Sequence, residues 1–480
     1  FKKKKKNKMK TIVISGAGLV GSLAAIRFRE KGYAVTVVEK RQDPRRPEFA
    51  TAGKSINLAL SCRGLTSLGP EIEKELRKIA LPMQRRIIHD QDGSIRYQKY
   101  GTEQEHYLLS VSRAKLNELL IDMAEKKGAT FKFGAKTLGC DLRNPTLRIT
   151  KSAYGDKSWN VEQIKGDLIV GADGVFSQVR MQMSKFGIFD VSQKYISHGY
   201  IELTMEPTEE GKFAFEETLV KGAGTTESSR KNNEHVHGLH IWARKDYMLI
   251  ALPNIDKTYT VTLFCRMEGE SEEKPGFDQF HTTEDFIAFF KRTFPDAAEK
   301  MNNLKGDWES TRPSGLCYIK SDPYHFKDKA VLLGDSAHAV VPFYGQGVNA
   351  GFESVAKLME QMDTYNNDFS KALPAFSKDR VKDGQTIANL AVEHFEDMKY
   401  NTTDDAYFQL KRFEKDLIHA KLYTTLYIYV SFTNVPYSEA LARTQKQDAL
   451  VQQVIKNNRD LFDKVYSKPI EPSDFKEERE

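Results

Sequence analysis

Apolar and polar positions along the chain follow two periods, and the changes of period divide it. Thr11-Ile-Val-Ile-Ser15 and Ala34-Val-Thr-Val-Val38 are short apolar runs that predict buried strands. Between them Ala24, Ala25 and Phe28 keep a helical period that Gly32 ends. Ser55 to Ser61, Leu168 to Val170 and Val331 to Leu333 read as further strands. Ser112 to Leu120 reads as a helix capped by Ser112. A helix pattern also follows the loop that Pro342, Gly345 and Gly347 hold open, through Ala350, Phe352, Val355, Leu358 and Met359. Between Gly187 and Trp308 the segments Tyr247–Leu252 and Thr258–Phe264 are β-rich, which predicts a mostly antiparallel sheet, with Thr218–His237 as a long mobile loop inside it. From Phe369 onward the pattern is helical and rich in aromatic rings, most of them core-packing positions.

Composition adds bounds rather than chemistry. A chain of 480 residues, 40% hydrophobic and 29% charged, is an ordinary globular protein of two or three lobes. Its net charge of +6 is carried by the six lysines within residues 1–8, read as a disordered basic tail ahead of Met9. The rest is formally neutral, which argues against a nucleic-acid surface. Cys62, Cys140, Cys265 and Cys317 are scattered, with no spacing that suggests a metal site, and read as reduced thiols. The most apolar late run, Leu422 to Phe432, is about half the length that spans a bilayer. The end, 473–480, is polar. These features predict a soluble, cytoplasmic protein.

The chemistry begins at Gly16-Ala-Gly-Leu-Val-Gly21, directly after the first strand and opening a helix. In that context Gly16 allows the tight turn, Gly18 lets the backbone approach a pyrophosphate, and Gly21 lets helix and strand pack closely. Glu39 ends the second strand about 20 residues on, where a carboxylate can accept hydrogen bonds from a ribose diol. This predicts a dinucleotide site without choosing between FAD and NAD. Arg113, early in its helix, either reaches a phosphate or is a surface arginine. Two further strand–turn–helix stretches follow, at Gly171-Ala-Asp-Gly174 and Gly334-Asp335.

Taken in order, Gly16-x-Gly-x-x-Gly21, Ala172-Asp-Gly174 and Gly334-Asp335 resemble the three fingerprints of the single-component FAD-dependent aromatic hydroxylases. The resemblance implies an α/β protein: a Rossmann-like FAD-binding domain (9–75, 105–185 and 320–370), an inserted, mainly antiparallel substrate domain (76–104 and 186–319) and a C-terminal helical region (371–480). It places the FAD pyrophosphate at Gly16, Gly18, Leu19, Val20 and Gly21, and the adenosine ribose at Glu39 beside Lys40 and Arg41. Ala59, Arg113, Leu138 and Asp173 fall on the cofactor side. Asp335 takes the ribityl chain, and Gly347, Val348 and Asn349 lie against the flavin ring.

Within that family the likeness is to the kynurenine-hydroxylating branch, carried by Lys54–Ser61, Ser110–Arg113 and Val341–Phe352. Leu81–His89 with Tyr100-Gly101 matches the branch's substrate-carboxylate segment. This implies that Arg86, Tyr100 and Tyr427 bind the carboxylate of L-kynurenine, with Pro342, Phe343 and Gln346 beside the ring. NADPH and O₂ are the implied co-substrates, and a flavin C4a-hydroperoxide is the implied hydroxylating species. No catalytic side chain is required. Two departures stand out. His394 aligns with an asparagine of the branch, and the membrane-anchoring C-terminal helix of eukaryotic members is missing. His394 is expected near the amino-acid head as a donor that gains charge below about pH 6.5. The same chemistry on another aromatic amine or phenol, and a flavin-binding redox sensor without turnover, stay open as alternatives, and oligomeric state is not readable.

Overall fold

The structure, a computed structural model, describes residues 9–49, 57–101, 103, 105–151, 160–222, 237–271, 273–400 and 405–466. Outside them lie the basic tail 1–8, the front of the run read as a strand from Ser55, residues 223–236 of the expected loop, and the polar end 473–480.

The apolar runs pair as their composition demands. Thr11–Ser15 is the centre of a six-stranded sheet, with Ala34–Val38 parallel on one side and Leu168–Gly171 parallel on the other. Thr130–Lys132 and Ala330–Leu332 extend it in parallel, and His325–Phe326 closes one edge antiparallel. Covered strands of this kind need continuous apolar sequence, and Ile12, Val13, Ile14, Ile169 and Val331 are fully buried. Register sets Ser15 beside Gly171 and Gly171 beside Leu332. The loops after three adjacent parallel strands therefore leave from one edge. Chain order reverses there, the place where open α/β sheets bind ligands.

A second, seven-stranded sheet runs in the order Ser314–Asp322, Asp190–Met205, Tyr259–Arg266, Tyr247–Pro253, Gly238–Arg244, Arg85–His89 and Ile95–Lys99. All its pairings are antiparallel except that of Gly238–Arg244 with Arg85–His89. One face, with Ile87, packs on Phe286, Phe289, Phe290 and Trp308 of the helices Thr283–Thr293 and Leu304–Ser310. The opposite face brings Phe264 and Leu316 against Val341 and Tyr344, and against Ile387, Val430 and Tyr437 of the C-terminal helices. Alternation along the strand turns Arg86 to this second face.

The C-terminal part is helical, with Phe369–Tyr400, Asp405–His419, Leu426–Phe432, Tyr437–Asn457 and Arg459–Tyr466. The architecture is thus the α/β class expected, a Rossmann-like unit with an inserted, mainly antiparallel sheet and a C-terminal helical region. One expectation needs correction. Glu216–Gly222 is a helix, so the start of the run read as a loop is ordered by burial of Leu219 beside Phe213 and Phe215. Among the described residues no helix is long and apolar enough to cross a membrane.

Candidate active site

The first fingerprint is built by steric necessity. Gly16 has φ +101°, and a Cβ there would stand 2.3 Å from the Ala172 carbonyl oxygen. A Cβ on Gly21 would stand 2.0 Å from the Gly16 oxygen. Gly18 differs, because nothing lies within 4 Å of its Cβ position. It precedes the helix Leu19–Glu30, so bare backbone and unpaired helix N–H groups face open space suited to a phosphate. Val20 packs its Cγ2 against Gly334 and Gly351 and so ties the first fingerprint to the third. Glu39 accepts from the Ala17 and Arg41 backbone N–H groups, both at 2.9 Å, which fixes its carboxylate at the mouth with Lys40 and Arg41 exposed beside it. Leu138 follows Thr137, whose hydroxyl bonds Ser15 at 2.9 Å, and flanks the same turn.

The second and third fingerprints are bolted together. Asp173 accepts from the hydroxyls of Ser177 and Ser336 and from the backbone N–H of Gln178 at 2.8 Å. The Ser336 hydroxyl accepts in turn from Gly174 N–H at 2.9 Å. Buried Arg180 donates to the carbonyls of Ser336 and Val175. Asp173 therefore shapes the wall of the cleft through its own hydrogen bonds. Asp335 behaves differently. Its side chain is open to solvent yet surrounded by protein, as a group lining a deep cleft is, and no hydrogen bond among the described residues engages its carboxylate. Burial raises its pKa, and the charge of Arg113 opposes the rise. Arg113, exposed at the start of its helix, thus lies within electrostatic reach of Asp335.

Gly347–Thr364 starts where the third loop ends. The Asn349 side chain accepts from Ser61 N–H at 3.0 Å and donates to the carbonyls of Ala59 at 3.1 Å and Gly345 at 2.8 Å. That leaves the first N–H groups of this helix, at Gly347 and Val348, without acceptors inside it. The cleft fits FAD: an open glycine at one helix start, a second helix start opposite, and an unengaged carboxylate between them.

Beside it lies a second constellation. The Arg86 guanidinium stands 4.4 Å from the Tyr427 ring centroid and 5.1 Å from that of Tyr100, and its hydrogen bond to Gln98 is long at 3.4 Å. Among the described residues no carboxylate pairs with it. The buried Tyr100 hydroxyl has no hydrogen-bond partner among the described residues. Tyr344 stacks on Tyr427 at 5.8 Å and meets the His394 ring at 4.9 Å. Burial, and then the charge of Arg86, hold the His394 imidazole down to about 4. The titration expected near 6.5 is therefore displaced, and His394 is neutral at neutral pH. Neither of its ring nitrogens has a partner among the described residues.

The remaining expected residues are placed variously. Phe343 lies between Phe395 at 4.4 Å and Phe264 at 5.0 Å, and Pro342 is exposed at the start of that turn. Gln346 is buried with its side-chain oxygen engaged by the Tyr437 hydroxyl at 3.0 Å, facing the C-terminal helices. Sequence reasoning missed Tyr344, Phe264 and Ile250, which share clusters with Phe343 and Tyr427. Alternation along Tyr247–Pro253 and Tyr259–Arg266 gave the two strands but not which ring or methyl would meet the third fingerprint.

Residues 8–380 match the family model described as an FAD binding domain. The chain is 39% identical over 453 residues, 94% of each chain, to a protein named kynurenine 3-monooxygenase from Christiangramia forsetii. It is 37% identical over 461 residues, 95% of this chain and 96% of the relative, to one of the same name from Flavobacterium johnsoniae. Among solved structures it shares the fold of 2-methyl-3-hydroxypyridine-5-carboxylic acid oxygenase, with a TM-score of 0.62 over 84% of this chain and 96% of that one at 17% identity. The fingerprints, the cleft they build and these likenesses agree: the chain belongs to the kynurenine 3-monooxygenase family of FAD-binding aromatic monooxygenases.

Proposed function

We propose that this chain is an FAD-dependent, NADPH-consuming monooxygenase that converts L-kynurenine to 3-hydroxykynurenine. The observation that carries the substrate is Arg86, a half-buried cation that among the described residues has no carboxylate partner, set with Tyr100 and His394, which have no hydrogen-bond partner among them either. A cation drawn partly out of water and left without a carboxylate favours an anionic partner, and the arrangement calls for one from outside. Arg86 takes the carboxylate in a two-point fork, and the hydroxyls of Tyr100 and Tyr427 add hydrogen bonds. The aromatic ring then extends into the apolar space bordered by Phe343, Ile250 and Phe264, toward the third fingerprint.

Bound FAD, reduced by NADPH, supplies activated oxygen from O₂. One oxygen atom enters the ring, the other leaves as water, and NADPH provides the two electrons. The aniline nitrogen of kynurenine makes the ring carbon ortho to it electron-rich, so no protein nucleophile is needed. The side chains hold that carbon in place and keep water out. Asp335, Glu39 and the open N–H groups at Gly18 and Gly347 hold the cofactor. Four free cysteines suit the reducing cytoplasm.

Oxygen uptake and NADPH oxidation, measured with and without kynurenine, test the reading. Kynurenine should stimulate both and gain one oxygen atom by mass. Stimulation by other anilines or phenols but not by kynurenine would move the substrate, and NADPH oxidation in no case would remove the catalytic reading.

A further inference from the structure

The head of an amino acid carries two charges, and the constellation around Arg86 answers only one of them with charge. A carboxylate has about four lone-pair sites. The guanidinium of Arg86 and the hydroxyls of Tyr100 and Tyr427 supply enough donors for all of them. The α-ammonium brings three N–H donors, and no carboxylate among the described residues is paired with this cluster to receive them. What the cluster does hold is the imidazole of His394, set against the Tyr344 ring at 4.9 Å, with neither nitrogen engaged among the described residues.

Resting on the kynurenine reading above, we propose that His394 accepts a hydrogen bond from the α-ammonium of the substrate and so selects amino acids over plain carboxylic acids. A neutral imidazole always keeps one lone pair, and this one is neutral because burial and then the nearby guanidinium disfavour its protonation. As a donor to the carboxylate His394 would be one donor too many; as an acceptor it supplies what the other groups lack. A protonated histidine would instead add a second cation beside Arg86 and oppose the ammonium. The site thus reads a zwitterion with one fixed charge and one neutral acceptor.

The test compares L-kynurenine with its desamino analogue, in which hydrogen replaces the α-amino group and the ring, ketone and carboxylate are kept. Dissociation constants are read from the flavin spectrum of the oxidised holoenzyme, so turnover does not enter. Wild-type protein should bind kynurenine about tenfold or more tightly than the analogue, as a hydrogen bond to a charged group warrants. His394→Leu should weaken kynurenine by about the same factor and leave the analogue nearly unchanged. His394→Asn, whose amide oxygen can accept, should keep most of the preference. Equal weakening of both ligands by His394→Leu, or of neither, would overturn the assignment. Wild-type protein that binds neither compound would overturn the head-group site itself, and this assignment with it.

Discussion

Asp335 and Asp173 are carboxylates of neighbouring loops with opposite circumstances, and they should fail differently when removed. Asp335 has no internal hydrogen bond among the described residues, so Asp335→Ala should leave the apoprotein as stable as wild type. It should weaken FAD by about ten- to a hundredfold, the loss of a charge-assisted partner of roughly 1.5–3 kcal/mol. Asp173 receives four internal donors, so Asp173→Ala should instead lower the melting temperature of the apoprotein. Flavin titration and apoprotein melting separate the two, and unchanged FAD affinity in Asp335→Ala would remove that residue from the site. The buried histidines set a second residue-scale expectation. Burial lowers the pKa of His338 to about 3, with Arg380 adding to it, that of His394 to about 4, and that of His240 well below its ordinary value. Unfolded, each would take up a proton near pH 6.5. The unfolded state therefore binds more protons below that pH, and stability must fall as pH drops from about 6.5 toward 4. Each histidine contributes up to about 1.4 kcal/mol per pH unit. Urea midpoints at pH 7 and pH 5 measure the fall, and His338→Gln should make it shallower. A stability independent of pH in this window would contradict the neutral burial of these rings.

At the scale of elements, the helix Gly347–Thr364 shows what a sequence can and cannot say. Its start was legible because a strand, glycines and a helical period follow one another. Its inward face was not. Glu353, one turn past Asn349, is buried between Arg63, which it pairs directly, and Arg380 at 2.8 Å, while Arg63 also lies 4.0 Å over the Tyr437 ring. Charged residues in a helical pattern read as surface by default, and nothing local marks these as core. Glu353→Ala should leave two buried guanidinium groups short of a partner and cost about 3–5 kcal/mol, seen as a large drop in melting temperature with little activity at warm temperatures. Wild-type stability in that variant would mean that the arginines are adequately served by carbonyls and Asp383. The strand Arg85–His89 teaches the same lesson. Its pairing with Gly238–Arg244 joins segments some 150 residues apart, and no periodicity announces it. The three fingerprints were readable because each is a local strand–turn–helix. The placing of Arg86, Tyr100, His394 and Tyr427 rested on resemblance, since the four come together only through the tertiary fold.

At the scale of the molecule, the cleft of the three fingerprints and the constellation around Arg86 are built on different sheets. The first stands at the edge of the parallel sheet, and the second is carried by the antiparallel one and closed by the helix Leu426–Phe432. The loop at Pro342–Tyr344 and the rings of Phe343 and Tyr344 lie between them. Catalysis of the proposed kind needs both halves engaged on one substrate, so a defect in the head clamp should appear as misdirected oxygen as well as weak binding. Arg86→Lys should retain part of the affinity, because it keeps the charge without the planar fork. The most direct test is Arg86→Ala, assayed at saturating kynurenine for 3-hydroxykynurenine formed and hydrogen peroxide released per NADPH oxidised. The account predicts normal FAD content, a Michaelis constant raised about a hundredfold or more, and a shift from hydroxylated product to peroxide. Wild-type affinity and product yield in that variant, or loss of FAD along with activity, would contradict it.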